Sequence, residues 1–291
     1  MSVLAAIGFG YCVRAFVAQD GSAFSRIIGT ARTPARLASI PEGVDPFLFD
    51  GETLSAPLAE ALAQTDVLIA SAPPDERGDP ILRCAGEVLA SGRLRQVVYL
   101  TTLGVYGDHG GAWVDETTPP RAGSARLERR LAAEREWQAF GAANGVKVAV
   151  LRLAGIYGPG RNVLDQVRDG EARRIDRPGQ VFNRIHVDDI SAAIRAVVEQ
   201  RFDGIVNVTD DLPAPPGDPI AYAAELLGLP APAPIPFEEA ARAMSPMALT
   251  FWASNKRVAN RHLTGELGVR LAYPTYREGL RALLAAGAGA R

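Results

Sequence analysis

The hydrophobic residues of this chain gather in short, nearly unbroken apolar runs, separated by longer stretches in which alanine, leucine and charged residues recur at helical spacing. Such runs read as strands buried on both faces, and their alternation with helical stretches is the pattern of βαβ units that build a parallel sheet. The pattern predicts strands at residues 3–7, 25–29, 46–49, 66–71, 96–102 and 147–151, with helices between them. The best-marked helix covers residues 124–144, where Leu127, Leu131, Glu134, Trp137 and Phe140 keep a roughly helical spacing and Asn144-Gly145 supplies a stop. Past Ile156 the regularity weakens. A basic, glycine-containing stretch leads to Arg184, and a helix follows Asp188-Asp189, the expected cap. A strand is expected near 205–208, then proline-rich connectors around short helices, one of them starting at Asp218-Pro219 and stopping near Gly228. This divides the chain into a core at 1–156 and a mixed segment at 157–291 that adds late core elements and a smaller lobe; the final Ala-Gly-Ala-Gly-Ala-Arg is expected to fray.

Gly8-Phe9-Gly10 sits where the first strand turns into the first helix. Glycines there let the backbone approach a pyrophosphate and aim free N–H groups and the positive helix end at it. The alternative is an ordinary strand-to-helix turn, because only two glycines of Gly-x-Gly-x-x-Gly are present and Val13 holds the third position, filling space between helix and strand. With the alternating pattern behind it, the turn predicts an α/β, Rossmann-type doubly wound parallel sheet with a small C-terminal substrate lobe, binding a dinucleotide through Gly8, Phe9, Gly10 and Tyr11. Arg32, with Arg36 nearby, follows the second strand where the adenosine ribose is read. A 2′-phosphate partner makes NADP the preferred cofactor and NAD the other possibility; the plain alternative is two solvated arginines. Asp50 is a candidate for the adenine amino group, and Ser71, Ala72 and Pro73 end the fourth strand beside the cofactor.

Composition narrows the function classes. At 291 residues, 47% hydrophobic and 22% charged, with a net charge of −2, the chain reads as a soluble, cytoplasmic protein without the basic field that nucleic acid or an anionic membrane would need. The uncharged start lacks a positive region before it and reads as a buried strand rather than a leader. Cys12 and Cys84 are too few for a disulfide framework, the three histidines give no metal spacing, and no Ser-His-Asp pattern argues for a hydrolase.

The segment Tyr99-Leu100-Thr101-Thr102-Leu103-Gly104-Val105-Tyr106-Gly107-Asp108 resembles the extended short-chain dehydrogenase/reductase superfamily, which includes nucleotide-sugar epimerases and dehydratases. So do Arg152-Leu153-Ala154-Gly155-Ile156-Tyr157-Gly158-Pro159-Gly160, with Leu153 where proline is usual, Arg184-Ile185-His186-Val187-Asp188-Asp189, and Val206-Asn207-Val208-Thr209-Asp210. The resemblance covers most of the chain. It implies that Thr102 holds the reacting oxygen of the substrate. It also places Arg126 and Arg130 at the tyrosine and lysine of the family's Tyr-x-x-x-Lys, so the chain resembles an atypical, epimerase/dehydratase-like branch that lacks the pair. Arg126 and Arg130 then stabilise negative charge on the substrate, Arg130 also beside the cofactor, and arginine is a poor proton shuttle at neutral pH. Tyr106, Tyr157, Glu128 and Glu134 are the remaining proton-handling candidates. Tyr157 or a water held by Thr102 is preferred, whereas the glutamates read as part of a solvated helix face. Arg161 and Arg184 stand out among the arginines of 161–184 as anion-binding groups at the substrate mouth, and His186 reads as a structural link between lobes. The expected function is an NAD(P)-binding oxidoreductase or epimerase/dehydratase-like enzyme for a small, anionic carbonyl or hydroxyl compound. The alternative is a non-catalytic NAD(P) sensor. The resemblance also allows a homodimer through the helices near 81–90 and 124–141.

Overall fold

The computed structural model describes residues 2–287, so positions 288–291 of the tail expected to fray lie outside it. Seven strands form one parallel sheet: β1 (Ser2–Ile7), β2 (Phe24–Ala31), β3 (Asp45–Leu48), β4 (Val67–Ala70), β5 (Gln96–Thr102), β6 (Lys147–Leu153) and β7 (Gly204–Val208). Their spatial order is β7-β6-β5-β4-β1-β2-β3. Strand order therefore reverses between β1 and β4, and the loops leaving these two strands part there, opening a crevice at the carboxyl edge of the sheet. All seven expected strands are present; β2 runs longer than its apolar run suggested, and β3 starts one residue earlier and ends at Leu48.

Alternate side chains of β1 enter opposite cores. Leu4 and Ala6 pack with Val13 and Phe16 of α1 (Tyr11–Asp20), and with Ile190 and Ile194 of a helix far along the chain. Ala5 and Ile7 pack with Leu58 and Leu62 of α2 (Ala56–Ala63), Ile81 and Leu89 of α3 (Pro80–Ser91), and Trp137 of α4 (Ala125–Asn144). α4 forms where the pattern put it: Ser124 Oγ accepts the Leu127 N–H, and Gly145 at φ 67° closes the last turn.

The segment after Ile156 returns to the core through α5 (Val187–Glu199) and β7, and builds the lobe from α6 (Asp218–Leu227), α7 (Pro246–Trp252) and α8 (Tyr276–Ala285). The cap of α5 differs from the expectation. His186 itself caps the helix, its Nδ1 accepting the Asp188 N–H at 3.2 Å. Asp189 instead accepts the N–H groups of Ala272 and Tyr273 at 2.7 and 3.2 Å, tying the C-terminal segment to the core.

Glu134 also departs from its expected place on a solvated face. The α4 turn that carries it faces the sheet, and its carboxylate meets Arg152 of β6 at 2.7 Å, with side-chain exposures of 1% and 3% for glutamate and arginine. Burial pushes the Glu134 carboxyl above the usual range, and the Arg152 charge draws it back toward ionisation. The guanidinium also lies 4.8 Å from the Tyr106 ring centroid, and Tyr106 Oη donates to Asn207 Oδ1 at 2.9 Å. Removing one partner of such a pair leaves a buried, uncompensated charge. Glu134→Ala is expected to cost about 3–5 kcal/mol in urea unfolding, and Glu134→Leu combined with Arg152→Met to recover most of that loss.

Candidate active site

The turn between β1 and α1 is closed to side chains at one glycine and open at the other. Gly8 has φ +94°, and a Cβ there would lie 2.7 Å from Ser71 Oγ and 3.2 Å from the Ala72 amide nitrogen. Ser71 Oγ donates to the Gly8 carbonyl at 2.6 Å, which latches the end of β4 to the turn, with Pro73 exposed just beyond. Gly10 has φ −92°, and a Cβ there would meet only the Gly8 carbonyl oxygen, at 3.9 Å. Neither the backbone angles nor the surroundings demand glycine here; its effect is to leave open space beside the turn. Helical bonding starts with the Arg14 N–H donating to Gly10, and α1 has neither a side-chain cap nor an acidic first turn. The amides of Tyr11, Cys12 and Val13 are therefore left without helical acceptors beside that space, a donor set that suits a diphosphate.

Around this cradle the expected contacts divide. Val13 is buried and fills the third glycine position. The Phe9 ring is buried beside Gly29, which also meets Val44, and its backbone borders the cradle. Tyr11 donates from Oη to the Pro159 carbonyl at 3.0 Å, and Arg161 lies 6.0 Å from its ring centroid. Arg32 and Arg36 are exposed just past β2. Asp50 is largely occupied by its own turn: Oδ1 accepts from the Glu52 and Thr53 amides at 2.8 and 3.1 Å, bonds that hold its pKa below the usual carboxylate value.

A cavity of about 530 Å³ lies at the carboxyl ends of β5 and β6. Thr102, Arg126, Tyr157, Arg161, Arg184 and Lys256 contribute to its wall, together with the rings of Phe182, Phe251 and Trp252. Among the described residues, no Asp or Glu lines it. Thr102 Oγ1 accepts the Gly104 N–H at 3.1 Å, which leaves the hydroxyl proton to donate elsewhere. Arg126 is exposed on the first turn of α4, 5.9 Å from the Phe251 ring centroid. Arg130, one turn on, donates to the Leu100 carbonyl at 3.2 Å and is not among the cavity residues.

None of the expected proton-handling side chains is free to act in this cavity. The Tyr157 ring lines it, but the hydroxyl occupies the space a side chain at Gly279 would need and lies 3.5 Å from the Thr275 carbonyl; burial pushes its pKa up. Tyr106 and Glu134 belong to the buried network under β6, and Glu128 is exposed on α4. Among the arginines, Arg161 and Arg184 reach the cavity as expected. Arg168 pairs with Asp165 and Asp169, and Arg177 stacks 4.5 Å from the Phe237 ring centroid and donates to the Trp252 carbonyl. Lys256 was missed in the sequence because it lies outside every recognised motif. A signal was available: of the chain's 31 lysines and arginines, only Lys147 and Lys256 are lysine.

Residues 81–209 match the model of the NAD dependent epimerase/dehydratase family. A 3-diazoavenalumate denitrifying reductase from a Streptomyces species is 30% identical over 181 residues, a match that spans 57% of this chain and 58% of the reductase. A conserved protein of unknown function from Silicibacter pomeroyi has a solved structure with 45% identity and a TM-score of 0.86, covering 98% of this chain and 99% of its own. A structure described as an NAD-dependent epimerase/dehydratase from Methylobacillus flagellatus is 28% identical with a TM-score of 0.72, covering 98% of each chain. More distant structures share the fold. UDP-glucuronic acid 4-epimerase from Bacillus cereus, solved with NAD, is 16% identical with a TM-score of 0.75 and covers 96% of this chain and 94% of its own. Human epimerase family protein SDR39U1, solved with NADPH, is 15% identical with a TM-score of 0.72 and covers 97% of this chain and 99% of its own. No described helix is long and apolar enough to cross a membrane.

Charge on the cavity wall depends on a neighbour behind it. Arg184 donates to the Phe182 and Ala214 carbonyls at 3.0 and 3.3 Å. Asp210, 1% exposed, accepts the Leu212 N–H at 3.2 Å through Oδ1, and burial pushes its pKa up to about 8 against the opposing attraction of Arg184. A neutral Asp210 leaves the arginine charge undiminished. Because the folded chain keeps this proton to about pH 8 and the unfolded chain releases it near 3.8, stability contributed at this site is lost as pH rises through that window. The urea midpoint is expected to fall between pH 5 and pH 8, and to fall less in Asp210→Asn, which keeps the acceptor for Leu212 and cannot ionise.

Proposed function

We propose that this chain is a dinucleotide-linked oxidoreductase or epimerase/dehydratase-like enzyme, preferring NADP, that acts on a small anionic carbonyl or hydroxyl compound; the match of residues 81–209 to the NAD dependent epimerase/dehydratase family supports this reading. The observation that carries this reading is a cavity at the carboxyl ends of β5 and β6 that has arginines and a lysine on its wall and, among the described residues, no carboxylate. When bound, the nicotinamide supplies or accepts hydride. The Gly8–Tyr11 turn holds the diphosphate, and Arg32 reaches the 2′-phosphate. The Thr102 hydroxyl holds the reacting oxygen, while Arg126, Arg161 and Arg184 receive the anionic group. Phe182, Phe251 and Trp252 favour a flat apolar body for that compound.

A second reading, a non-catalytic sensor, draws on Arg126 standing at the family's tyrosine and on the turned-away hydroxyl of Tyr157. Calorimetric titration with NADPH and NADH, followed by a carbonyl panel monitored by reduced-nicotinamide absorbance, separates the two; dinucleotide binding without any turnover leaves the sensor. Arg32→Ala is expected to weaken NADPH binding by about tenfold and leave NADH unchanged, the signature of a lost 2′-phosphate contact. Thr102→Ala is expected to lower kcat by about 10²-fold with dinucleotide affinity retained.

A further inference from the structure

Lys256 is set apart from the other cations of the cavity by chemistry and by how it is held. Lys147 lies on the surface, paired with Asp203 at 3.3 Å, whereas Lys256 is 7% exposed. Its Nζ donates to the Gly107 carbonyl at 3.1 Å and to Ser254 Oγ at 3.3 Å. An ammonium has three donors, and among the described residues no third acceptor meets this one, although the side chain lines the cavity.

The backbone around it is fixed from several sides. Asn183 Nδ2 donates to the Lys256 carbonyl and its Oδ1 accepts the Val258 N–H, at 3.0 and 2.9 Å, while the Asn255 N–H donates to Asp108 at 2.7 Å. Residues Arg257–Val258 also pair with Trp113–Val114 as a short parallel ladder. Gly107, which anchors the ammonium, and Thr102 close the two ends of a single helical turn, Leu103–Tyr106.

We propose that the Lys256 ammonium delivers the proton to the substrate oxygen held by Thr102, and in the reverse direction its neutral amine removes that proton. The proposal rests on the reading of this cavity as a site of dinucleotide-linked carbonyl chemistry. On reduction, the carbonyl carbon gains a C–H bond from the hydride of the reduced nicotinamide nucleotide, and the C=O π pair moves to oxygen. An O–H bond forms with the Lys256 proton, and the neutral amine takes a proton from water as product leaves. The other titratable groups on the wall do not serve: arginine does not release a proton near neutral pH, and the Tyr157 hydroxyl faces α8. Burial lowers the Lys256 pKa to about 8 against the opposing pull of Asp108 on the adjoining turn; Arg126 and Arg184 line the same cavity. That value suits proton exchange near neutrality.

With only two lysines, protein labelled at lysine Cε with carbon-13 gives two side-chain signals, assigned by Lys147→Arg. The Lys256 signal is expected to titrate near pH 8 and to shift when NADPH and 4-carboxybenzoate are added. A midpoint above about 10, the ordinary lysine range, overturns the proposal. Turnover is read with NADPH and anionic aromatic aldehydes and ketones, 4-carboxybenzaldehyde first. Lys256→Met is expected to lower kcat by about 10²–10⁴-fold with NADPH affinity unchanged. Lys256→Arg keeps a permanent charge that cannot be given up and is expected to stay slow, with retained NADPH affinity in both variants showing that they are folded. A wild-type-like kcat in either variant overturns the proton assignment alone. A wild-type protein that binds NADPH and turns over none of the panel overturns the enzyme reading and the assignment with it.

Discussion

Arg152 is the side chain on which the geometry of the cavity depends. A guanidinium inside a sheet-and-helix core has to be neutralised and stacked to be tolerated, and this one is held by Glu134 of α4 on one side and by the Tyr106 ring on the other. Tyr106 in turn donates to Asn207 of β7, and Asn207 Nδ2 donates to the Ala259 carbonyl at 3.2 Å, just past the Arg257–Val258 ladder that follows Lys256. The chain of contacts thus joins α4, β6, the turn after β5, β7 and the C-terminal segment. Those are the pieces that bring Arg126, Thr102 and Lys256 to one opening. A hydrophobic substitute at 152 could fill the volume, but it would not fix the direction in which the Leu103–Tyr106 turn presents its two ends.

The parallel sheet supplies a second constraint. Every strand ends at the same edge, so the loops after β1, β4, β5 and β6 crowd together without any specific attraction between them. Close approach there is bought with glycine at Gly8 and with the Ser71 bond to the turn carbonyl, and the helix start is left bare of caps and acids. Next to it, the cavity concentrates positive charge. Concentrated charge opposes folding unless the surroundings offset it, and the structure does so with backbone carbonyls around Arg184 and Lys256 rather than with carboxylates facing the opening. The nearby carboxyl, Asp210, is buried deeply enough to hold its proton to about pH 8. The positive field at the opening is therefore kept available to a ligand instead of being cancelled internally.

Those same features explain what could be read from the sequence. Strands buried on both faces must be largely apolar, so the inner runs were visible, whereas the half-exposed edge strand β3 rested on a shorter run; α4 carried its own Ser124 and Gly145 boundaries. The glycine turn and the Thr102 segment were legible because close backbone approach and a strand-end hydroxyl leave residue-type signatures. Glu134 was misjudged because its neighbours Arg129, Arg130 and Arg135 made the helix look solvated, and only its partner on β6, eighteen positions away, shows why it is buried. Tyr157 was misjudged for a related reason: the direction of its hydroxyl is set by α8, an element more than a hundred residues later, packed so closely that only glycine fits at 279. Long-range packing decides which way a side chain faces, and spacing along the chain does not record it.

Lys256 brings these threads together. Arginine is this chain's habitual cation, and at the mouth of the cavity it serves well, because a permanent planar charge is what an anion-binding wall requires. At position 256 the requirement is different. The side chain is largely buried and ends on the Gly107 carbonyl, and its charge must be one that it can give up. Burial alone would make a permanently charged guanidinium costly there, whereas an amine can answer the same desolvation by releasing its proton. The Thr102–Gly107 turn then holds a hydroxyl at one end and an exchangeable proton at the other, one supplied by the sheet and the other by the C-terminal segment. With Arg126 and Arg130 rather than a phenol on this face of α4, proton chemistry at the Thr102–Gly107 turn has to come from outside the helix, and residues 254–258 are held in position to supply it.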